Sequence, residues 1–367
     1  MKICEVSKII NSKIDGAILD NSNYISTENM IVNCGGIVDS SSVPTTKVTH
    51  FLTNDILISN IRPYFKKVWF SVFDGGCSND VICLRTTNEK CLPRYLYYAL
   101  CTDKFIDSFS ASSKGTKMPR GYKNALLSYE IPDRNVFDQQ YIVDILGSID
   151  DKIENNEKII SLLEQKMLLE YDKFIMKHET EKVAMQDIFN ITIGKTPPRK
   201  ESHWFTTSPT DIKWLSISDM GKAQVFAFDS NEKITPEGIE KYNVKIAPKN
   251  TVLLSFKLTV GKVAITACEM ATNEAIAHFN TDNINIIEYL YCYLKRYDFD
   301  SLGNTSSIAT AVNSKTIKAM DFLLPSQNDL IYFHNNTSTT LIKIKHLLVE
   351  NNKLNELKQL YLKKFFG

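Results

Sequence analysis

The sequence predicts an α+β protein with two globular units, each followed by a long helix, and with the two helices paired as an antiparallel coiled coil. Two observations predict this architecture. The 367-residue chain repeats the order of its short segments at offsets of 190 to 196 residues, and each copy ends in a long helical stretch almost without glycine or proline. The predicted boundaries are 1–132 and 181–325 for the globular units, and 133–180 and 326–367 for the helices.

Composition sets limits on the class of protein. A chain of this length usually exceeds one hydrophobic core, and 43% hydrophobic with 23% charged residues is ordinary for globular domains. The net charge of +1 gives no global signature of a nucleic-acid or membrane partner. No apolar run approaches the roughly 20 residues that span a bilayer, and the eight cysteines form no Cys-x-x-Cys pair. We therefore expect a soluble cytoplasmic protein with reduced thiols.

The repeat is carried by short matches that occur in the same order in both halves of the chain. The matched pairs are YISTENM (24–30) with WLSISDM (214–220), NDILIS (54–59) with NTVLLS (250–255), KKVWF (66–70) with GKVAI (261–265), SNDVI (78–82) with TNEAI (272–276), YLYYAL (95–100) with YLYCYL (289–294), SS (112–113) with SS (306–307), and IP (131–132) with LP (324–325). Short β-branched and aromatic runs alternate with helix-spaced segments inside each copy, which indicates mixed α+β domains.

The first long helix has an apolar seam with alternating steps of four and three residues, a spacing that favours helix-on-helix packing. Its helix-pairing candidates are Ile142, Leu146, Ile149, Ile153, Asn156, Ile160, Leu163 and Met167. The second helix repeats the spacing less cleanly, with the candidates Leu347, Asn351 and Leu354. A polar asparagine in such a seam penalises wrong registers, so Asn156 and Asn351 are candidates for aligning the helices; the alternative is that either faces solvent.

Charge favours pairing of the two helices with each other. Residues 133–182 contain seven Lys/Arg and twelve Asp/Glu, a net charge of −5, whereas residues 326–367 contain six and three, a net charge of +3. Opposite charges favour this pair over like pairs, although each exposed contact contributes little. We expect an intramolecular antiparallel pair whose roughly 40 residues would span about 60 Å, as a spacer between the globular units.

The common catalytic and metal-binding motifs are not found in the sequence. GKT at 194–196 resembles the end of a P-loop, but the glycine that should come earlier is Phe189. No Gly-x-Gly-x-x-Gly, His-Glu-x-x-His or zinc-like Cys/His spacing occurs. Asp133, Asp150 and Lys152 formally fit a metal-dependent nuclease pattern. However, Asp150 and Lys152 flank the predicted seam, where charges are normal, and the second repeat has no counterpart, so we expect no catalytic residue and no bound metal.

Cationic loops recur in both halves and favour contacts with DNA phosphates. For a single cationic loop, solvated surface charge would be the better interpretation. Because such loops recur in both halves, DNA binding is the better interpretation of the set. The DNA-binding candidates are Arg62, Lys66, Lys67, Lys114, Lys117, Arg120 and Lys123 in the first half, and Lys195, Arg199, Lys200, Lys257 and Lys262 in the second.

With these features together, the chain resembles the DNA-specificity subunit of Type I restriction-modification systems. The resemblance covers essentially the whole chain and is carried by IGKTPPRK with WLSISDM, by NTVLLSFKLTVGKVAI, and by the Ile-Pro or Leu-Pro before each helix. A further match is Pro-x-x-Asn-x-x-x-Gln-Gln-x-Ile-Val at 132–143. The second helix begins with PSQNDLIYFHNN, which lacks Gln-Gln and Ile-Val.

The resemblance implies a non-catalytic subunit that recognises double-stranded DNA. Each globular unit would be a target-recognition domain for one half of a bipartite, asymmetric site, and the helix pair would set the gap. Methyltransferase subunits, two of them, would bring S-adenosylmethionine, and restriction/translocase subunits would bring ATP hydrolysis and Mg²⁺-dependent cleavage. The alternative function is a coiled-coil interaction scaffold that binds no nucleic acid.

Overall fold

The structure, a computed structural model, describes residues 1–113, 118–257, 259–299 and 312–367. It contains two compact units, one formed by Met1–Glu154 with Asn352–Gly367 and the other by Asn155–Asn351. This division differs from the four predicted segments, because each unit includes part of both long helices. Their apolar faces are buried in the cores of the globular parts, so helix and sheet fold as one body within each unit.

The first unit contains two four-stranded sheets flanked by short helices. Its elements are α1 Ile3–Val6, β1 Ser7–Ile9, β2 Lys13–Ile14, β3 Tyr24–Ile25, β4 Val48–Phe51, β5 Ile56–Ser59, β6 Val68–Phe70, β7 Gly75–Cys77, β8 Val81–Thr86, α2 Pro93–Leu100, α3 Asp103–Ala111, α4 Lys123–Ser128 and the beginning of α5 Val136–Lys177. The strand orders are β1-β8-β5-β6 and β2-β4-β7-β3. All four residues of β5 are buried, which explains its continuous apolar run.

The second unit contains two five-stranded sheets and a two-stranded ribbon. Its elements are the rest of α5, β9 Thr180–Ala184, α6 Met185–Ile188, β10 Asn190–Ile193, β11 Phe205–Thr206, β12 Ile212–Leu215, α7 Ile217–Lys222, β13 Phe226–Ala227, β14 Glu232–Ile234, α8 Pro236–Tyr242, β15 Ile246–Ala247, β16 Val252–Ser255, β17 Val263–Thr266, β18 Met270–Thr272, β19 Ile276–Asn280, α9 Ile287–Arg296, α10 Ser314–Lys318, β20 Asp321–Pro325 and the beginning of α11 Gln327–Phe366, whose residues 352–366 belong to the first unit. The orders are β10-β19-β16-β17-β13, β11-β14-β12-β18-β15 and β20-β9.

The two units share one strand framework, as the repeat predicts. The order β1-β8-β5-β6 in the first corresponds to β10-β19-β16-β17 in the second. In the other sheet of each unit, the parallel pairs β3 with β7 and β12 with β18 occupy matching sequence positions. Helix α2 corresponds to α9 at the predicted offset. The expected α+β architecture with duplicated units and long helices is therefore confirmed.

The first long helix begins where the Pro-x-x-Asn-x-x-x-Gln motif requires. Asn135 caps it, since its Oδ1 accepts a hydrogen bond from the Asp138 backbone N–H at 2.9 Å. The fully buried Gln139 side chain accepts from the Leu92 N–H at 2.8 Å and donates to the Lys90 and Arg134 carbonyls. The motif thus fixes the beginning of α5 and attaches it to the loop before α2.

Within each unit the two long helices run antiparallel. In the first unit, the Arg134 guanidinium donates to the Phe365 carbonyl at 3.1 Å, and Asp150, further along α5, pairs with Lys358, earlier on α11. In the second unit, Asn156 bonds to Asn351 and His178 lies 2.6 Å from Asp329. In both units, residues later in α5 contact residues earlier in α11, as in an antiparallel pair.

Among the described residues, no helix is both long and apolar enough to cross a membrane. All eight cysteines are free, and five are buried. Burial raises the pKa of the Cys77 and Cys91 thiols to about 12. These thiols are protonated at neutral pH and pack as small apolar side chains.

Candidate DNA-binding surfaces

In the first unit, the turn between β5 and β6 is held by backbone hydrogen bonds on both sides. Residues Pro63–Phe65 form a 3-10 helix between Arg62 and Lys66, which both have left-handed backbone conformations. On one side the Arg62 N–H donates to the Pro119 carbonyl at 2.8 Å. On the other, the Phe65 and Lys66 carbonyls accept from Asn33 and Cys34 at 3.0 and 2.8 Å. The turn therefore has one fixed shape.

Two lysines of this turn, both predicted from the sequence to contact DNA phosphates, bind partners within the unit. The Lys66 ammonium lies 2.6 Å from the Asp103 carboxylate, and its side chain is 11% exposed. The Lys67 ammonium donates to the Thr27 carbonyl at 2.5 Å, and burial lowers its pKa. Asp103 and Thr27 are distant in sequence, so the pattern of charges could not reveal these bonds. Both lysines position the turn.

The remaining cations of the first unit are more accessible. Arg62 and Lys123 are exposed, and Arg120 forms an ion pair with Asp80 at 2.9 Å on the surface. Ile61 and Arg120 form a β-bridge, so the segment around Arg120 runs beside the β5–β6 turn. The candidates Lys114 and Lys117 lie outside the described residues.

In the second unit, the matching turn between β16 and β17 is built differently. Gly261 has φ +84°, a conformation that favours glycine, and its N–H donates to the Ser255 carbonyl at 2.9 Å. The Lys257 ammonium lies 5.4 Å from the centre of the buried Phe256 ring. Lys262 is exposed and lines a cleft beside α5 with Glu157 and Glu164.

The segment after β10 carries the other cationic candidates. Lys195 and Lys200 are exposed. The Arg199 guanidinium, by contrast, binds both Glu232 carboxylate oxygens at 2.8 and 2.9 Å and lies 4.0 Å from the centre of the Phe205 ring. Arg199 therefore stabilises the edge of the β11-β14-β12 sheet, whereas the side chains of the two lysines are exposed.

Glu201 organises a neighbouring polar cluster that the sequence did not single out. Its carboxylate accepts hydrogen bonds from the Trp204 indole at 2.8 Å, the Tyr242 hydroxyl at 2.9 Å and the Lys241 ammonium at 3.2 Å. These bonds lower its pKa to about 2. The Lys241 ammonium also lies 4.8 Å from the centre of the Trp204 ring. The cluster attaches the cationic segment to α8. The one local sequence signal for this cluster is the Glu-x-x-Trp spacing at 201–204.

The predicted helix-pairing residues lie mainly on buried faces of the helices. In the first unit Ile142, Leu146 and Ile149 are buried and Ile153 is half-buried. In the second, Asn156, Ile160, Met167 and Asn351 are buried, and Leu163 and Leu347 are half-buried. Leu354, in the first unit, is half-buried. On α11 the more deeply buried residue is Leu348, one position after the predicted Leu347.

One of the nuclease-like residues, Asp150, is bound within the first unit. Asp150 binds the Lys358 ammonium at 2.6 Å and the Tyr98 hydroxyl at 2.9 Å. In the part of the chain that the structure describes, no group of three or more His, Cys, Asp or Glu side chains could hold a metal ion. Asp150 is a partner of α11 within the first unit.

Duplicated α+β units, each continued by a long helix and carrying cationic loops, define a protein with two related binding domains. A family model of the Type I restriction modification DNA specificity domain matches residues 1–165 and 177–362, and the chain belongs to this family. It is thus of the class of specificity subunits, the DNA-recognising and non-catalytic components of Type I restriction-modification systems, which act with DNA and with other subunits of the system.

Individual relatives agree with this assignment. Over an alignment 450 positions long, the chain is 23% identical to the specificity subunit of the Type I restriction enzyme HindI from Haemophilus influenzae, covering 98% of this chain and 96% of the relative. Over 178 residues it is 25% identical to the MjaIX specificity subunit from Methanocaldococcus jannaschii, covering 47% and 39%. A solved Type I restriction-modification S subunit from M. genitalium has a similar fold, with a TM-score of 0.56, 16% identity and coverage of 100% and 95%.

Proposed function

We propose that this specificity subunit recognises a bipartite, asymmetric DNA site, with one half bound by each unit and the long helices setting the unread gap. The observation that carries the proposal is one strand framework with two different turns. In both units the same pair of antiparallel strands leads into the turn. Residues 60–67 form a 3-10 turn with two exposed rings, whereas the described residues of the second turn, 256–257 and 259–262, include a glycine with a positive φ. Similar frameworks with different turns suit two different half-sites.

The gap-setting role rests on the continuity of the helices. Helix α5 runs from Val136 to Lys177 and α11 from Gln327 to Phe366, without an internal break. A regular helix has a fixed rise of about 1.5 Å per residue, so its length is a stable measure of distance.

The partners proposed for the complex supply the chemistry. Two methyltransferase subunits would bind S-adenosylmethionine, and restriction/translocase subunits would use ATP and Mg²⁺. We place the complex in the cytoplasm. This chain would recognise the DNA sequence.

Insertion of one heptad into each helix tests the spacing role. The insertions belong between Asn156 and Ile160 on α5 and at the facing turn of α11, so that the seam keeps its register. Selection of binding sequences from a random DNA library should then return the same half-sites with a longer gap. A matched control adds one heptad to α5 alone, which breaks the pairing and should abolish site selection. Altered bases in either half-site, or an unchanged gap, would contradict the proposal.

A further inference from the structure

The β5–β6 turn of the first unit presents two aromatic rings to solvent. The side chains of Tyr64 and Phe65 are 53% and 39% exposed, and their ring centres lie 4.8 Å apart at an angle of 60°. The segment that pairs with the start of the turn also exposes Met118 and Tyr122. Exposed apolar side chains concentrated at one end of a domain are typical of a contact surface.

The backbone that carries these rings is strained. Among the described residues, seven other than glycine have a positive φ, and four of them, Asn33, Cys34, Arg62 and Lys66, lie at this turn or donate to it. Such conformations persist only where the surrounding structure enforces them, and they are concentrated at functional sites. Here the enforcing contacts are the hydrogen bonds on both sides and the Lys66–Asp103 ion pair.

Rigidity matters for what the rings can recognise. An aromatic side chain with two torsions, on a turn that is already fixed, loses little entropy on binding and can discriminate shape. The side chains of Lys66 and Lys67 bind within the unit, and those of Arg62, Tyr64 and Phe65 are exposed. The described residues 118–123, whose Arg120 forms the bridge beside the turn, contain Arg120 and Lys123 and no acidic residue, and a cationic segment favours a polyanionic partner.

The second unit lacks this feature at the matching position. In the described residues of its turn, the Phe256 ring is buried and Val260 is the one large apolar side chain exposed. The ring pair therefore distinguishes the first unit from the second and does not belong to the shared framework.

We propose that Tyr64 and Phe65 are specificity-determining residues of the first unit and pack against thymine methyl groups in the major groove of its half-site. The thymine C5-methyl is the apolar group that base edges present there, and an exposed ring at a fixed position suits it. Arg62, next to the rings, would contact the adjacent phosphate. The inference rests on the proposal that each unit binds one half-site.

Replacing thymine by deoxyuracil tests the contact, because the exchange removes the methyl group and leaves the base-pairing edge intact. With the full-length chain and the DNA site found by selection, each thymine is replaced in turn. The wild-type chain should lose about fourfold in affinity at one or two positions of a single half-site. No loss at any thymine would overturn the inference without the need for a variant.

Variants then link the methyl group to the rings. The double variant Tyr64→Ala/Phe65→Ala should bind the thymine duplex roughly tenfold or more weakly than wild type. It should bind the thymine and deoxyuracil duplexes equally, with an unchanged salt dependence. Tyr64→Phe, which removes only the hydroxyl, should keep the sensitivity to deoxyuracil. The control Val72→Ala changes an apolar side chain that is 71% exposed beyond the other end of β6 and should behave as wild type.

Other outcomes contradict the inference in distinguishable ways. Equal losses by the double variant on both duplexes, with the wild type insensitive to deoxyuracil, would indicate insertion of the rings between base steps. Unchanged DNA affinity with lost binding of a methyltransferase subunit would make the rings a protein-docking surface. If the wild-type chain selects a two-part site but the ring variants match it, only this inference fails. If it selects no site, the proposed function fails as well.

Discussion

The Asn156 side-chain amide donates a 2.8 Å hydrogen bond to Oδ1 of Asn351 within the buried seam between α5 and α11. It also donates to the Glu350 carboxylate at 2.8 Å. A buried polar pair stabilises a helix pairing only when its members meet, so this contact favours one register over those shifted by a turn.

Asn351→Ala should lower the free energy of unfolding by about 1 to 3 kcal/mol, because the Asn156 amide loses a buried partner. The double variant Asn156→Leu/Asn351→Leu should recover most of this loss, since neither polar group is then left buried. Urea denaturation monitored by circular dichroism measures both effects. Asn155→Ala, at an exposed neighbouring position, is the control. A double variant no more stable than Asn351→Ala would contradict this account of the pair.

The Lys358–Asp150 ion pair should stabilise the first unit. The Lys358 side chain is 11% exposed. Burial lowers its pKa, but the Asp150 carboxylate and the nearby Cys101 and Cys34 together raise the pKa above its usual value. Lys358→Met should lower the free energy of unfolding by about 2 to 3 kcal/mol, since Asp150 is then left with the Tyr98 hydroxyl.

The matched control for this pair is Lys363→Met, which removes an exposed lysine from the same end of α11. It should change stability by less than about 0.5 kcal/mol. Equal effects of the two substitutions in urea denaturation would argue against a stabilising buried pair.

His278 should make the second unit less stable in acid. The ring is buried between Thr272 and Thr192, at 2.6 and 3.0 Å, and burial lowers its pKa to about 4 from a usual 6.5. Between these two pH values the unfolded chain binds a proton that the folded chain excludes. The contribution is therefore fully present above pH 6.5 and is lost as the pH falls towards 4, by about 3 kcal/mol in total.

Urea denaturation at pH 7 and pH 5 measures this effect. Between pH 7 and pH 5, the free energy of unfolding of His278→Gln should fall by about 2 kcal/mol less than that of wild type. His203→Gln, at an exposed position, should keep the wild-type dependence. An identical pH dependence for His278→Gln and wild type would contradict the assignment.

The exposed and internally bound cations of the second unit should behave differently. Lys200→Ala should reduce the slope of log affinity against log salt by about one and leave stability unchanged, because it removes one phosphate contact. Arg199→Ala should also lower the unfolding free energy by about 1 kcal/mol, since Glu232 and the Phe205 ring lose their partner. DNA titrations at several salt concentrations, with thermal melts, separate the two roles. Lys262→Ala should weaken DNA binding as well. Unchanged salt slopes for Lys200→Ala, Arg199→Ala and Lys262→Ala would show that these three residues do not contact DNA phosphates.

The sequence predicts those features that depend on local pattern. The alternating apolar steps place the long helices within three residues of the observed Val136–Lys177 and Gln327–Phe366, and the repeat predicts matching strands. The partners of individual charges follow from contacts between distant segments. Lys66 meets Asp103 and Arg199 meets Glu232 because sheets and helices bring them together, and Glu201 collects three donors from α8 and its own loop. A run of cations cannot show which of its members are already bound within the fold.

The make-up of the first unit has a consequence for protein synthesis. Its core includes Leu362 and Phe366, and the unit is completed only by residues 352–367. The second unit, by contrast, has its whole sequence once Asn351 has left the ribosome. The half of the protein that is translated first therefore finishes folding last, and until then the faces of α2 and α5 that receive Leu362 and Phe366 stay uncovered in the nascent chain.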